Sequence, residues 1–209
     1  MVIDSGALLS FVAAVLVIQL VPGPGMLFVL AHGIVGGARA GMVAACGAAT
    51  GMLIHTVLAA AGLAALLASA PRAYEVVRMI GAAYLLWLAL IHLRSSARPP
   101  TTADAHARAP MRSVFLRGLL NNLANPKIIV FFIAFLPQFI VAEGSTTAQF
   151  VVLGIAFLLV GLALDLSIGA ASGRLGALLR RHHELPKVLD RAAALIYTVL
   201  GVRLLVENN

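Results

Sequence analysis

The chain has 209 residues, of which 61% are hydrophobic and only 11% are charged. About a quarter of the residues in soluble domains are charged, so this composition excludes a soluble protein and indicates a polytopic membrane protein. The net charge of +7 does not indicate nucleic acid binding, because the basic residues lie in short loops beside apolar segments, where retention in the cytoplasm explains them better.

Six apolar segments are long enough to cross a bilayer, which takes about 20 residues each. They lie near residues 8–30, 41–69, 74–94, 113–140, 148–173 and 188–206. We therefore predict one all-α domain over residues 1–209, with a polar cytoplasmic connector at 95–112. Arginines concentrate in the odd-numbered loops, which places those loops in the cytoplasm and both termini outside.

The first segment contains the cluster Pro22, Gly23, Pro24 and Gly25. Proline removes a backbone donor, and lipid offers no replacement partner for the freed carbonyl. A broken helix at this depth must therefore lie beside protein or trapped water, as in a transport site. Gln19 stands on the turn before the break, so we predict that Gln19 and these four residues bind the substrate.

The fourth segment carries a second break, at an asparagine, a proline and a lysine. Its asparagine amides lie at one depth, where they can repair the backbone and also contact a ligand. The end of the segment is marked by a proline followed by a glutamine. The substrate-binding residues predicted in this segment are Asn121, Asn122, Asn125, Pro126, Lys127 and Gln138.

Lys127 is the least expected residue, because a charged side chain in hydrocarbon costs about 2.5–3.5 kcal/mol even on lenient insertion scales. Two interpretations stay open. Either its stem carries the ammonium to the cytoplasmic headgroups, or the ammonium lines a cavity, where it meets a substrate carboxylate or Asp165.

Asp165 and His55 are predicted to couple transport to protons. Asp165 lies within the fifth segment on a face shared with Gly161, Gly169 and Gly173, and His55 follows two glycines at intervals of four in the second segment. Such thin faces allow close helix packing, and an acid inside a membrane indicates function. No residues stand at metal-ligand spacing, so neither a metal nor another cofactor is expected.

The chain looks duplicated, since three segments precede the connector and three follow it. A broken helix leads each half, residues 1–94 and 113–209. Three is an odd number, so the two halves must insert with opposite orientation. This predicts two inverted three-helix repeats with broken first and fourth helices, a plan found in many secondary transporters.

The runs at residues 21–25, 47–55, 81–88, 122–127 and 135–139 resemble the lysine exporter family, in particular its homoserine/threonine exporter branch. The resemblance covers nearly the whole chain. It implies a small bacterial inner-membrane permease that exports amino acids or related metabolites by proton exchange. The motif residues carried over are Pro22, Gly23, Pro24, Asn125, Pro126, Lys127, Pro137 and Gln138. Members of the family often carry an acid one helical turn before Asp165, where this chain has Gly161.

The function expected is therefore secondary active export of amino acids or small zwitterionic metabolites, by proton antiport. Its partners are a small amino-acid substrate, protons and the lipid bilayer, and its glycine faces would allow a homodimer. A passive small-solute channel is the main alternative. A membrane-embedded enzyme is the weaker one, because Ser167 and Ser172 near Asp165 form no nucleophile–base pair.

Overall fold

The computed structural model describes residues 3–94, 109–141, 143–181 and 185–206, so most of the predicted connector lies outside it. All regular structure in these ranges is helical, as the composition predicts. A π-helical turn, Ala59–Leu63, joins α2 to α3, while a π-helical turn, Phe131–Phe135, and a 3₁₀ turn, Leu136–Phe139, continue α6. The helices are α1 Ser5–Leu20, α2 Pro24–Leu58, α3 Ala64–Ser69, α4 Pro71–Arg94, α5 Met111–Leu123, α6 Pro126–Val130, α7 Thr146–Arg181 and α8 Leu185–Val206.

Helix α2 folds back on itself at Gly37. The backbone there has φ 81° and ψ 170°, a conformation that favours glycine. A β-carbon built on Gly41 would lie 3.1 Å from the α-carbon of Gly33, whereas eight residues of straight helix span about 12 Å. Helix α2 therefore consists of a short arm, residues 24–36, and a long arm, residues 38–58. The turn falls in the predicted loop between the first two segments.

Three helical stretches are long and apolar enough to cross a membrane within the described ranges: Pro24–Leu66, Arg72–Arg94 and Thr146–Leu179. A fourth is obtained if Met111–Leu123 and Pro126–Phe139, bent by 47°, form one broken span. Helix α1 is apolar but has only 16 residues. Helix α8 carries Lys187, Asp190, Arg191 and Arg203 among its 22 residues. Length and apolarity thus support up to four of the six predicted spans.

An aromatic core joins α1, the segment that continues α6, and α7. Phe11 lies 5.1 Å from Phe139, and Phe131 lies 4.6 Å from Phe157, between ring centroids. All four rings are at least nine-tenths buried. Burial of such rings is the main apolar contribution to packing, so this core fixes where the ends of α1 and α6 meet.

The long arm of α2 packs against α5 and α7 through glycines. A β-carbon on Gly169 would lie 2.7 Å from the carbonyl carbon of Gly41, and one on Gly47 would collide with the carbonyl oxygen of Phe115. Backbones approach this closely only where a side chain is missing. The glycine face predicted for the second segment therefore packs against α5, at Phe115 and Asn122, whereas Gly169 of the fifth segment meets α2 at Gly41.

Helices α4 and α8 form a separate pair. His92 Nδ1 lies 2.9 Å from Asp190 Oδ1, and a β-carbon on Gly201 would lie 3.0 Å from the side chain of Leu86. The pair contacts the rest of the protein where Gly81 meets the side chain of Ala134. The third and sixth predicted segments thus pack against each other.

Two glycines of α7 provide a matched test of this packing. Gly169→Ala should lower the free energy of unfolding by about 1–3 kcal/mol, because the added methyl group meets the backbone of Gly41 and Met42. Gly173→Ala should leave it unchanged or raise it by up to about 1 kcal/mol, since nothing lies within 4 Å of that position. Thermal unfolding of the purified variants in detergent measures both. Equal losses would contradict the tight contact at Gly169.

Candidate functional site

The first break leaves carbonyl groups exposed at the end of α1. The helix ends at Leu20, and Val21 is extended, with φ −65° and ψ 120°. In an unbroken helix the residue at 22 would donate to the carbonyl of Ile18, but Pro22 has no N–H. Lys127 supplies the missing donor: its Nζ donates to the carbonyl oxygen of Ile18 at 3.2 Å and to that of Val21 at 3.1 Å.

Lys127 is therefore buried at the first break, although it belongs to the second. Its side chain is only 5% exposed, so its ammonium points into the protein and not toward the headgroups. A cation also complements the negative end of the α1 dipole. The absent side chain of Gly23 gives it room, because a β-carbon there would lie 3.2 Å from the Lys127 Nζ.

The second break is organised by Asn125. Its side chain accepts from the backbone N–H of Lys127 at 3.1 Å and so caps α6. Its own N–H donates to the carbonyl of Asn122 at 3.0 Å, which satisfies the group that Pro126 cannot bind. A β-carbon on Gly25 would lie 3.4 Å from the Asn125 Nδ2. The two breaks are thus in direct contact.

Asp165 approaches this junction from α7. It is buried, at 9% exposure, and close enough to Lys127 for their charges to interact. The two side chains form no direct ion pair within the described ranges. One turn earlier on the same face, Gly161 faces Gln19, whose Nε2 would lie 2.6 Å from a β-carbon there. Gln19 of α1 therefore contacts α7 one turn before Asp165.

His55 and Asn122 complete the junction from α2 and α5. The His55 ring stacks on Phe132, with 5.5 Å between centroids and 28° between planes, and lies beside the backbone of Asn122. The Asn122 side chain packs against Gly51, where a β-carbon would lie 2.7 Å from its Oδ1. Residues from α1, α2, α5, α6 and α7 thus surround the two breaks.

Three buried polar atoms of this junction have no hydrogen-bond partner: Gln19 Nε2, His55 Nε2 and Asn122 Oδ1. Buried polar groups are nearly always paired, because leaving one unpaired costs about 1–3 kcal/mol. Water or a polar ligand can satisfy them. In the described part of the chain, no three His, Cys, Asp or Glu side chains come together as metal ligands.

Comparison with known proteins gives the family. Residues 16–208 match the family described as LysE type translocator. The chain belongs to that family. This confirms the resemblance drawn from the proline, glycine and asparagine motifs. No solved structure matches the translocator.

Relatives with described activities are efflux proteins and not enzymes. The translocator is 38% identical to a leucine efflux protein of Enterobacter sp. over 157 residues. This stretch is 75% of this chain and 72% of the relative. It is 30% identical over 190 residues to a homoserine/homoserine lactone efflux protein of Salmonella typhimurium, over 90% of each chain. An uncharacterized membrane protein of Vibrio cholerae is 34% identical over 184 residues, or 88% and 87% of the two chains.

One predicted site residue, Gln138, lies apart from the junction. Gln138 donates from Nε2 to the carbonyl of Ala134 at 3.3 Å, and eleven residues of helix separate it from Lys127 by about 16 Å. Pro24 and Pro126 are exposed, while Pro22 and Asn121 are half-buried. Gln138 therefore stands at the far end of its segment from the two breaks.

Sequence reasoning missed the partners of Lys127, because they are backbone carbonyls and any residue can supply them. It also gave no binding role to two buried polar side chains: His32, which it did not single out, and Ser172, which it considered only as a nucleophile. His32 binds the Phe28 carbonyl through Nδ1 at 3.0 Å but leaves Nε2 unpaired. Ser172, packed against Gly33, leaves its hydroxyl unpaired. Ser172 stands two turns after Asp165 on α7, a spacing that could have indicated a shared face.

Proposed function

We propose that this translocator exports amino acids or related small zwitterionic metabolites across the cell inner membrane by proton antiport. The observation that carries the proposal is the buried Lys127 ammonium, which links the carbonyls of the first break to the second break. The efflux relatives act on leucine and on homoserine or its lactone, which are small amino acids or derivatives. Both support an amino-acid substrate.

The two helix ends that meet at the first break have opposite partial charges, which complement the two charges of a zwitterion. Helix α1 ends there with its negative dipole end, and the short arm of α2 begins there with its positive end. The amides of Gly25 and Met26 stand in the first turn of α2, where no carbonyl lies one turn earlier to bind them, and Gly23 offers no side-chain cap. These amides suit a carboxylate, and the α1 carbonyls suit an ammonium.

Proton coupling is assigned to Asp165, with His55 assisting. Asp165 is the buried acid at the junction, and its carboxylate is attracted by the charge of the Lys127 ammonium. Protonation of Asp165 would remove that attraction and change the preferred position of the Lys127 ammonium. Alternating protonation can therefore shift the balance between two conformations that open to opposite sides.

Six crossings in two inverted repeats are part of the same proposal, with the odd-numbered loops in the cytoplasm and both termini outside. Contacts between equivalent elements support it. The first break meets the second break, the long arm of α2 meets α7, and α4 meets α8. Packing of each element against its own counterpart is the pattern that a two-fold axis between repeats produces.

Counterflow in proteoliposomes tests the function. Vesicles loaded with unlabelled leucine should transiently accumulate external labelled leucine, and the initial rate should saturate with leucine concentration. Homoserine and other amino acids in parallel would define the substrate range. A passive channel would show neither saturation nor transient accumulation. Absence of counterflow with every amino acid tried would contradict the proposed function.

A further inference from the structure

The carbonyl groups of Ile18 and Val21 form a negatively polarised end in the middle of the protein. In a continuous helix they would accept from residues 22 and 25. Pro22 has no N–H, and Gly25 already belongs to the next helix. Both carbonyls are therefore available to a donor that is not part of the α1 backbone.

That donor is a primary ammonium with very little access to solvent. The Lys127 Nζ reaches the two carbonyl oxygens at 3.2 Å and 3.1 Å, and the side chain is 5% exposed. An ammonium has three N–H donors, and these bonds use two of them. The α-ammonium of an amino acid has the same charge and the same three donors, so it can make the same two bonds.

We infer that the carbonyls of Ile18 and Val21 form an ammonium subsite, which Lys127 fills in the absence of substrate and the substrate's α-ammonium takes over on binding. The inference rests on the proposed function and names how its site selects a zwitterion. The substrate ammonium replaces Lys127 at the two carbonyls. The substrate carboxylate then pairs with the displaced Lys127 ammonium.

Such an exchange requires both charges of the substrate. A bare amine would have to expel Lys127 into a buried space with no new anion to receive it, which is costly. A bare carboxylate could not replace Lys127 at the carbonyls. A zwitterion supplies both partners at once, so no charge is left unpaired. Substrate binding also breaks the hydrogen bonds by which Lys127 connects α6 to α1. The two breaks are then free to move relative to each other only when the substrate is bound.

Thermal unfolding of the purified protein in detergent tests the subsite with three related probes. These are leucine, 3-methylbutylamine, which lacks the carboxylate, and 2-hydroxy-4-methylpentanoate, which lacks the ammonium. The unmodified protein should be stabilised by leucine alone. Lys127→Met opens the carbonyls and removes the competing cation, so this variant should gain binding of 3-methylbutylamine, with an apparent Kd at least 10-fold lower than in the unmodified protein.

Three controls keep the test decisive. Arg174→Met removes an exposed cation of α7 and should not gain amine binding. Lys127→Gln, which keeps an amide donor, replaces Lys127→Met if that variant does not fold, and should gain amine binding more weakly. N,N,N-trimethylleucine has the same charges as leucine but no N–H donor, so it should not stabilise the unmodified protein.

Amine binding that is equal in the unmodified protein and the Lys127 variants would overturn the subsite, and so would stabilisation by the trimethyl compound equal to that by leucine. Either result alongside intact leucine counterflow would leave the proposed function standing. Loss of counterflow with all amino acids would instead contradict the function itself, so the two failures are distinguishable.

Discussion

Replacing Lys127 with Met is expected to lower the initial rate of amino-acid counterflow at subsaturating substrate by about 100-fold. The change removes the cation that receives the substrate carboxylate once the substrate ammonium has taken its place at the α1 carbonyls. Charged hydrogen bonds contribute about 1.5–3 kcal/mol each, and 2.7 kcal/mol corresponds to about 100-fold. Counterflow into proteoliposomes that contain equal amounts of protein measures the rate.

Arg174→Met is the matched control for this variant, because it also removes a cation from a helix but at an exposed position. It should keep at least half of the unmodified rate. Both variants should insert into membranes at normal levels. A Lys127→Met protein that inserts normally and retains full counterflow would show that the ammonium has no part in substrate binding.

Replacing Asp165 with Asn is expected to abolish proton-driven accumulation while counterflow persists. Asparagine keeps the size of the side chain but cannot exchange a proton. In vesicles that are acidic inside by one pH unit, antiport of one proton per substrate would allow the unmodified protein an accumulation of about 10-fold. The Asp165→Asn protein should only equilibrate its substrate across the membrane.

Ser167→Ala on the same helix is the control, since Ser167 is exposed and its hydroxyl donates to the Ala163 carbonyl. It should accumulate substrate like the unmodified protein. His55→Gln should weaken accumulation less than Asp165→Asn does, because His55 is assigned an assisting role. Undiminished pH-driven accumulation in the Asp165→Asn protein would place the coupling group elsewhere.

The helical class and both breaks are predictable from the sequence because they depend on local chemistry. Proline removes a donor wherever it stands, so the clusters at 22–25 and 125–127 must interrupt their helices. The two interpretations of Lys127 could not be separated from the sequence. Which interpretation holds depends on the group that the Lys127 ammonium reaches. That group is a backbone carbonyl more than 100 residues earlier in the chain.

Other features escaped prediction because they depend on tertiary contacts. Gln149 is fully buried and binds the backbone of Val141 and Glu143, which fixes the chain just before α7 although nothing in the local sequence indicates it. The unpaired polar atoms of His32 and Ser172 become visible only when their surroundings are known. The sequence of helix α8 looks apolar enough to cross a membrane, yet the helix carries too many charged residues to count among the candidate membrane spans.

Disulfide formation between Gly25→Cys and Asn125→Cys, in a Cys46→Ala background, tests the central claim most directly. The claim is that the two breaks meet at the substrate site, where a β-carbon on Gly25 would lie 3.4 Å from the Asn125 side chain. In oxidised membranes the pair should cross-link within the chain, each single cysteine should not, and a saturating transported amino acid should slow the reaction. No cross-link, or a rate unaffected by the amino acid, would contradict the claim.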